Sequence, residues 1–199
     1  MNFMLRLNPN NINTPELSEK IFIENWGGMP HNKDQGRFDD LTRYYKGGRY
    51  LDIGCFNSPK PGQLADNSNN EIWAMDHATA VVSKMKQIYP KVNYVVGDLY
   101  STPFRNEYFD YIVAGEVIEH LEDPSAFINE VFRILSPNGI FALSTPFEEG
   151  ISQTIITPEH LWGFSKEDIE GFLYPYTQDV EIHINTDNTK VIVAYARKI

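Results

Sequence analysis

Four short apolar runs in this sequence each end on a residue that can do chemistry. Asp52-Ile53-Gly54 closes Arg49–Ile53, and Asp76 follows Glu71–Met75. Gly97-Asp98-Leu99 follows Asn93–Val96, and Glu116 lies just past Tyr111–Ala114. A carboxylate offers acceptors alone, so Asp76 suits a pair of neighbouring hydroxyls such as a ribose diol. Gly54 lets the backbone turn sharply and approach a ligand because it has no Cβ. Asp52 can orient that turn and accept from an ammonium group. Asp98 can accept from a ring amino group while the Leu99 N–H donates to a ring nitrogen. Taken singly, each acid is an ordinary turn residue. Four of them in step with four run ends point to one nucleoside-type ligand carrying an amino-acid end.

A second group lies downstream. Glu116, Glu119 and His120 stand at i, i+3 and i+4, and share one face if the segment is helical. His160 follows in Thr157-Pro158-Glu159-His160-Leu161-Trp162. One reading makes these four residues ligands of a divalent metal that polarises a substrate hydroxyl. The plainer reading keeps Glu119 and His120 as a hydrogen-bonded pair capping the loop. The assignment adopted is no metal, with His120 and His160 as candidate catalytic bases. Tyr44, Tyr45, Trp26, Phe147, Trp162 and Phe164 either wall an acceptor pocket or pack beneath a cap. The segment 145–176 is expected to set substrate selectivity.

Strand-like runs alternate with amphipathic stretches, which argues for βαβ units and a parallel sheet. Ile140–Ser144 supplies a fifth strand, and Val180–Ile184 with Lys190–Arg197 reads as an antiparallel hairpin. Asp123-Pro124 is an N-cap followed by proline at the first helical position. Phe127, Ile128, Val131 and Leu135 then share one helical face, and Pro137-Asn138-Gly139 is expected to end that helix. Further helices are expected over Ala78–Gln87 and after Ser165. Pro15–Trp26 and Phe38–Tyr45 are expected to be helical and to cap the ligand-bearing edge. The domain division follows: a helical cap over 1–48 and one catalytic domain over 49–199.

The chain has 199 residues and a net charge of −10, from 17 Lys and Arg against 27 Asp and Glu. That balance repels phosphate backbones and argues against nucleic acid as the substrate. Cys55 is the sole cysteine, which excludes an internal disulfide and a multi-cysteine zinc site, and is expected to be a small packed residue. No apolar run is long enough to span a bilayer, and the first 13 residues lack a signal-peptide pattern. The expectation is a cytoplasmic protein with no membrane insertion. Nothing in the sequence fixes its oligomeric state.

Several stretches resemble the class I S-adenosylmethionine (SAM)-dependent methyltransferases, especially the group of ubiquinone- and menaquinone-biosynthesis enzymes. They are Tyr50-Leu51-Asp52-Ile53-Gly54-Cys55, Trp73-Ala74-Met75-Asp76, Gly97-Asp98-Leu99 with Pro103-Phe104, and Phe109-Asp110-Tyr111-Ile112-Val113. Glu116-Val117-Ile118-Glu119-His120-Leu121-Glu122-Asp123-Pro124 follows, continuing to Leu143-Ser144-Thr145-Pro146. The resemblance implies a doubly wound, Rossmann-like α/β fold. Its sheet would be seven-stranded and mostly parallel with an antiparallel last strand, beside the N-terminal helical cap. It implies SAM as cofactor, with Asp52 and Gly54 along the methionine side, Asp76 on the ribose, Asp98 and Leu99 at the adenine and Glu116 near the methionine moiety. Arg37 would pair with the SAM carboxylate. The implied activity is methyl transfer to an oxygen or nitrogen of a small-molecule acceptor.

One departure from the family pattern stands out. Phe56 and Ser58 occupy positions where the family has glycine, and a phenyl ring there disfavours positive φ. The expectation is a loop reshaped around Pro59-Lys60-Pro61-Gly62. The rival is a catalytically silent, methyltransferase-like module. A second rival, a metal-dependent RNA-end 2′-O-methyltransferase, is suggested by Glu116, Glu119 and His120 and opposed by the overall acidity.

Overall fold

The computed structural model describes residues 5–6, 13–30, 35–147, 159–185 and 190–199. Seven strands form the main sheet: β1 (Tyr50–Ile53), β2 (Ile72–Asp76), β3 (Asn93–Val96), β4 (Phe109–Gly115), β5 (Leu135–Pro146), β6 (Val180–Asn185) and β7 (Val191–Arg197). Their spatial order is β3-β2-β1-β4-β5-β7-β6. The first five run parallel, and β7 lies antiparallel to both β5 and β6. Residues 186–189 of the expected hairpin lie outside the described residues.

The sheet is covered on both faces, and strand periodicity decides which side chain goes where. On β1, Leu51 and Ile53 enter one core and Tyr50 the other; on β4, Ile112 and Ala114 part from Tyr111 and Val113 in the same way. Helices α5 (Pro124–Ile134) and α6 (Lys166–Leu173) supply Phe127, Ile128, Val131, Ile169 and Leu173 to the first core. Helices α1 (Pro15–Trp26), α2 (Gln35–Leu41), α3 (Lys60–Asp66) and α4 (Thr79–Ile88) supply Phe22, Leu41, Ala65, Val81, Val82 and Met85 to the second. Each large aliphatic or aromatic side chain so buried contributes about 1.5–3 kcal/mol.

Local chemistry sets the helix ends. Asp123 Oδ1 accepts from the Ala126 N–H at 2.9 Å with Pro124 at the first position, and Ser165 and Asp168 form a capping box on α6. Two expected boundaries move. Helix α5 stops at Ile134, before Pro137-Asn138-Gly139, because Leu135 already pairs with Phe109 across a register shift. Helix α2 covers 35–41 rather than 38–45. Past Leu41 the Thr42 hydroxyl donates to the Phe38 carbonyl at 2.8 Å and the chain turns.

The short helix α2 is bolted down at its C-terminal end. Asp40, which is buried, accepts from the Tyr195 hydroxyl at 3.0 Å and from Asn185 Nδ2 at 3.0 Å. His183 Nε2 lies 2.9 Å from the same carboxylate, and Tyr111 donates to the Leu41 carbonyl at 2.8 Å. These bonds join α2 to β4, β6 and β7. Among the described residues no helix is long and apolar enough to cross a membrane.

Candidate functional site

Strand order reverses between β1 and β4, and a cleft of about 770 Å³ opens beyond the carboxyl ends of the neighbouring strands. All eight residues assigned from the sequence line it: Asp52, Gly54, Asp76, Asp98, Leu99, Glu116, His120 and His160. Ser18, Ile21, Asn25 and Trp26 of α1 line it too, with Arg37 and Phe38 of α2.

Gly54 has φ +72°, and a Cβ there would lie 2.6 Å from a Val117 methyl, so glycine is required twice over. The N–H groups of Gly54 and Cys55 both donate to the Met75 carbonyl, at 2.8 and 3.0 Å, tying this turn to the end of β2. Phe56 then takes φ +40° without being glycine. Its N–H donates to Asp76 Oδ2 at 2.9 Å, and its ring meets the edge of Phe22 on α1 at 5.8 Å between centroids. The turn therefore accommodates a side chain in the left-handed region. Ser58 is buried and hydrogen-bonds Asp52.

Burial governs the acids. Asp52 is 4% exposed, and desolvation pushes its carboxyl up to about 7 despite the Ser58 hydrogen bond. Asp76 is raised for the same reason, opposed by the Ala78 and Phe56 N–H groups at 2.9 Å each and by His77. Asp98 is exposed and caps its own turn through the Tyr100 N–H at 2.9 Å. Glu116, at φ +56°, accepts from the Ser144 hydroxyl at 2.7 Å and lies 3.4 Å from Arg37 Nη1.

The Glu116, Glu119 and His120 side chains do not share a helical face. A single 3₁₀ turn over Ile118–His120 follows the left-handed Glu116, so Glu116 turns toward Ser144 and Arg37. Glu119 is 1% exposed; Oε2 accepts from the Thr145 hydroxyl at 3.0 Å, while Oε1 accepts no hydrogen bond. The expected hydrogen-bonded pair is not formed, for His120 Nε2 stands 3.9 Å from that oxygen. His120 Nδ1 lies 3.0 Å from the Glu159 carbonyl. A carbonyl only accepts, so Nδ1 carries the proton and Nε2 the lone pair. The Leu161 N–H donates to the Glu119 carbonyl at 2.8 Å and Trp162 Nε1 to the Leu121 carbonyl at 2.7 Å, which brings His160 edge-on to His120 at 4.9 Å. Burial lowers both imidazoles, His160 to about 4. Among the described residues Glu119, His120 and His160 present donor atoms within 4.8 Å of one another, close enough to share one positive guest.

Comparison with known proteins bears on the fold and the family. The family described as a methyltransferase domain matches residues 51–143. A probable SAM-dependent methyltransferase of Mycolicibacterium smegmatis is 35% identical over 109 residues, covering 55% of this chain and 42% of that protein. Residues 51–143 thus match a methyltransferase domain, and the chain is similar to SAM-dependent methyltransferases. The methyltransferase fold extends well past the matched stretch. Phosphoethanolamine N-methyltransferase 2 of Haemonchus contortus, solved with SAM, superposes with a TM-score of 0.71 at 17% identity, over 92% of this chain and 56% of that one. The [4+2]-cyclase SpnF superposes with a TM-score of 0.74 at 14% identity, over 96% and 98%. The chain spans less than half the length of the first curated relatives it matches.

The aromatic set expected around the acceptor divides. Trp26 lines the cleft, but Tyr44 packs on Tyr195 and Tyr45 on Tyr50 and Tyr111, on the face opposite α5. Phe147, Trp162 and Phe164 pack into the first core. The buried Cys55 is packed, its thiol pushed up by desolvation. Sequence reasoning missed His77, whose Nε2 lies 2.9 Å from the Ser18 hydroxyl and fastens α1 beside the cleft; its position directly after Asp76 was the available signal. Residues 148–158 of the segment expected to set selectivity lie outside the described residues.

Proposed function

We propose that this methyltransferase domain binds SAM in the cleft and transfers its methyl group to an oxygen or nitrogen of a small-molecule acceptor. One observation carries the reading: the acids that end successive parallel strands all face a single cleft. The residues suit the group. Asp52 is a buried carboxyl whose charge the protein leaves poorly compensated, which favours a cationic partner such as the methionine ammonium. Asp76 lines the cleft as a carboxylate acceptor suited to the ribose hydroxyls. Asp98 and the Leu99 N–H serve the adenine, Glu116 flanks the methionine end, and residues 1–48 act as the cap.

When bound, SAM supplies an electrophilic methyl group, so the protein's work is alignment and exclusion of water. His120 and His160, neutral because they are buried, can take a proton from the acceptor. Calorimetry with S-adenosylhomocysteine tests the reading; binding in the micromolar range is expected, and silence at millimolar ligand sinks it. A second reading, a module that binds without methylating, draws on Phe56 at φ +40° and on a similar fold carrying a cyclase. It predicts S-adenosylhomocysteine binding with no methyl transfer to any acceptor class.

A further inference from the structure

The end of the cleft beyond Glu116 has a distinct chemical character. Its lining residues there are Glu116, His120, Leu121, Glu122, Glu159 and His160. Among the described lining residues the one Lys or Arg is Arg37, and it lies against Glu116. The remaining polar side chains at this end are the carboxylates of Glu116, Glu122 and Glu159 and two imidazoles, each offering one acceptor nitrogen when neutral. The Nδ1 bond to the Glu159 carbonyl leaves the His120 Nε2 lone pair as that ring's second polar atom. Beneath it Glu119, 1% exposed, aims Oε1 at that nitrogen from 3.9 Å and receives no donor. Burial beside Glu116 holds the Glu119 carboxyl well above the usual carboxylate range, so behind His120 lies a buried acid that a neighbouring cation would help to ionise.

A wall of acceptors and carboxylates repels phosphate and carboxylate ligands and calls for a guest rich in N–H donors. The spacing admits such a guest. Three acceptors around one ammonium nitrogen at about 2.8 Å stand roughly 4.6 Å apart. Ligands around a tetrahedral metal at about 2.1 Å stand only about 3.4 Å apart. The donor atoms of Glu119, His120 and His160 fall within 4.8 Å of one another, and the Glu119–His120 approach of 3.9 Å lies between those two spacings, so the charge of the lining, not the spacing, favours the amine.

We propose that this end of the cleft takes a small molecule bearing a primary or secondary amine, held as its ammonium among His120, His160, Glu122 and Glu159, and that nitrogen is the atom methylated. The proposal rests on the SAM reading above and narrows its acceptor. One ammonium proton passes to His120 Nε2. The freed nitrogen lone pair then forms the new C–N bond as the methyl C–S bond breaks and its electron pair returns to sulfur. The products are a methylated ammonium and the neutral thioether.

The test uses the full chain with and without S-adenosylhomocysteine and three probes of one size: phenethylamine, 2-phenylethanol and 3-phenylpropionate. Ligand-observed NMR should give the amine at least about tenfold tighter binding than the carboxylate, weakening with salt. Replacing both Glu122→Gln and Glu159→Gln should loosen the amine by roughly threefold to tenfold while the thioether's Kd stays put. Methyl-labelled SAM should place label on the amine nitrogen. Equal or tighter binding of the alcohol or carboxylate overturns the proposal, as does an amine affinity indifferent to the double variant. Displacement of the amine by micromolar Mn²⁺, with activity lost to a chelator, also overturns it by making a metal the guest. Should the thioether fail to bind while the amine binds, the SAM reading falls and the amine site stands.

Discussion

Replacing Asp52 with Asn tests the cleft where its electrostatics are most exposed to measurement. In the ligand-free protein the Asp52 carboxyl holds its proton up to about pH 7, against about 4 in an unfolded chain. The folded state therefore binds a proton the unfolded state has lost, and stability falls as pH rises from about 4 to about 7. Three pH units correspond to roughly 4 kcal/mol as an upper bound, which relaxation of the site reduces. D52N removes this dependence, so its stability relative to the parent should improve with pH across that window and level off above it. Ligand binding has the opposite slope. An ammonium needs the carboxylate, so affinity for S-adenosylhomocysteine should climb by up to about tenfold per pH unit between pH 5 and 7 and then flatten. In D52N it should be flat, and at pH 7.5 weaker by about 10- to 100-fold through loss of a charge-assisted bond. Denaturant titrations and calorimetry at pH 5, 6, 7 and 7.5 read both curves. A parent affinity that ignores pH, or a D52N curve parallel to it, refutes the assignment of Asp52 to the ammonium.

Three other substitutions probe separate parts of the molecule. Phe56→Gly relieves a left-handed φ worth about 1–2 kcal/mol but loses the edge contact with Phe22, worth about 1 kcal/mol. Melting temperature should move by only a few degrees and S-adenosylhomocysteine affinity by less than threefold; a tenfold gain would favour the silent-module reading. Gly62→Ala places a methyl 2.2–2.6 Å from the Tyr89 ring and should cost about 1–3 kcal/mol in a denaturant titration, with no loss if the ring swings away freely. Asp40→Ala removes the carboxylate shared by Tyr195, Asn185 and His183 and should cost about 2–4 kcal/mol. Since α2 carries Arg37 to the cleft, ligand affinity should drop in Asp40→Ala beyond what unfolding explains.

The strands and their cargo were legible because period-2 burial and acids at run ends are local patterns. Asn93–Val96 appears in the structure with the bounds its sequence suggests, and α1 likewise spans Pro15–Trp26. What escaped was decided by contacts distant in sequence. Tyr44 and Tyr45 look like pocket aromatics, yet Tyr195, 151 positions beyond Tyr44 (195 − 44), draws Tyr44 to the sheet's other face. Glu116, Glu119 and His120 are spaced for a helix, but the left-handed turn at Glu116 sends them to three different partners. Phe56 misled for a third reason. Its intrinsic dislike of positive φ is real, and it is overruled by the Asp76 carboxylate on its N–H and by Phe22 on its ring.

The antiparallel β7 has a consequence for biogenesis. It fills the slot between β5 and β6, two strands that touch no common partner until it arrives. A ribosome delivers β6 before the strand that must seat it, so that hairpin limb waits with its backbone bonds unmade. Premature stop codons anywhere in Val191–Arg197 would thus unseat two strands while deleting one. Amide exchange in β6 should vanish together with β7 protection rather than degrade piecemeal.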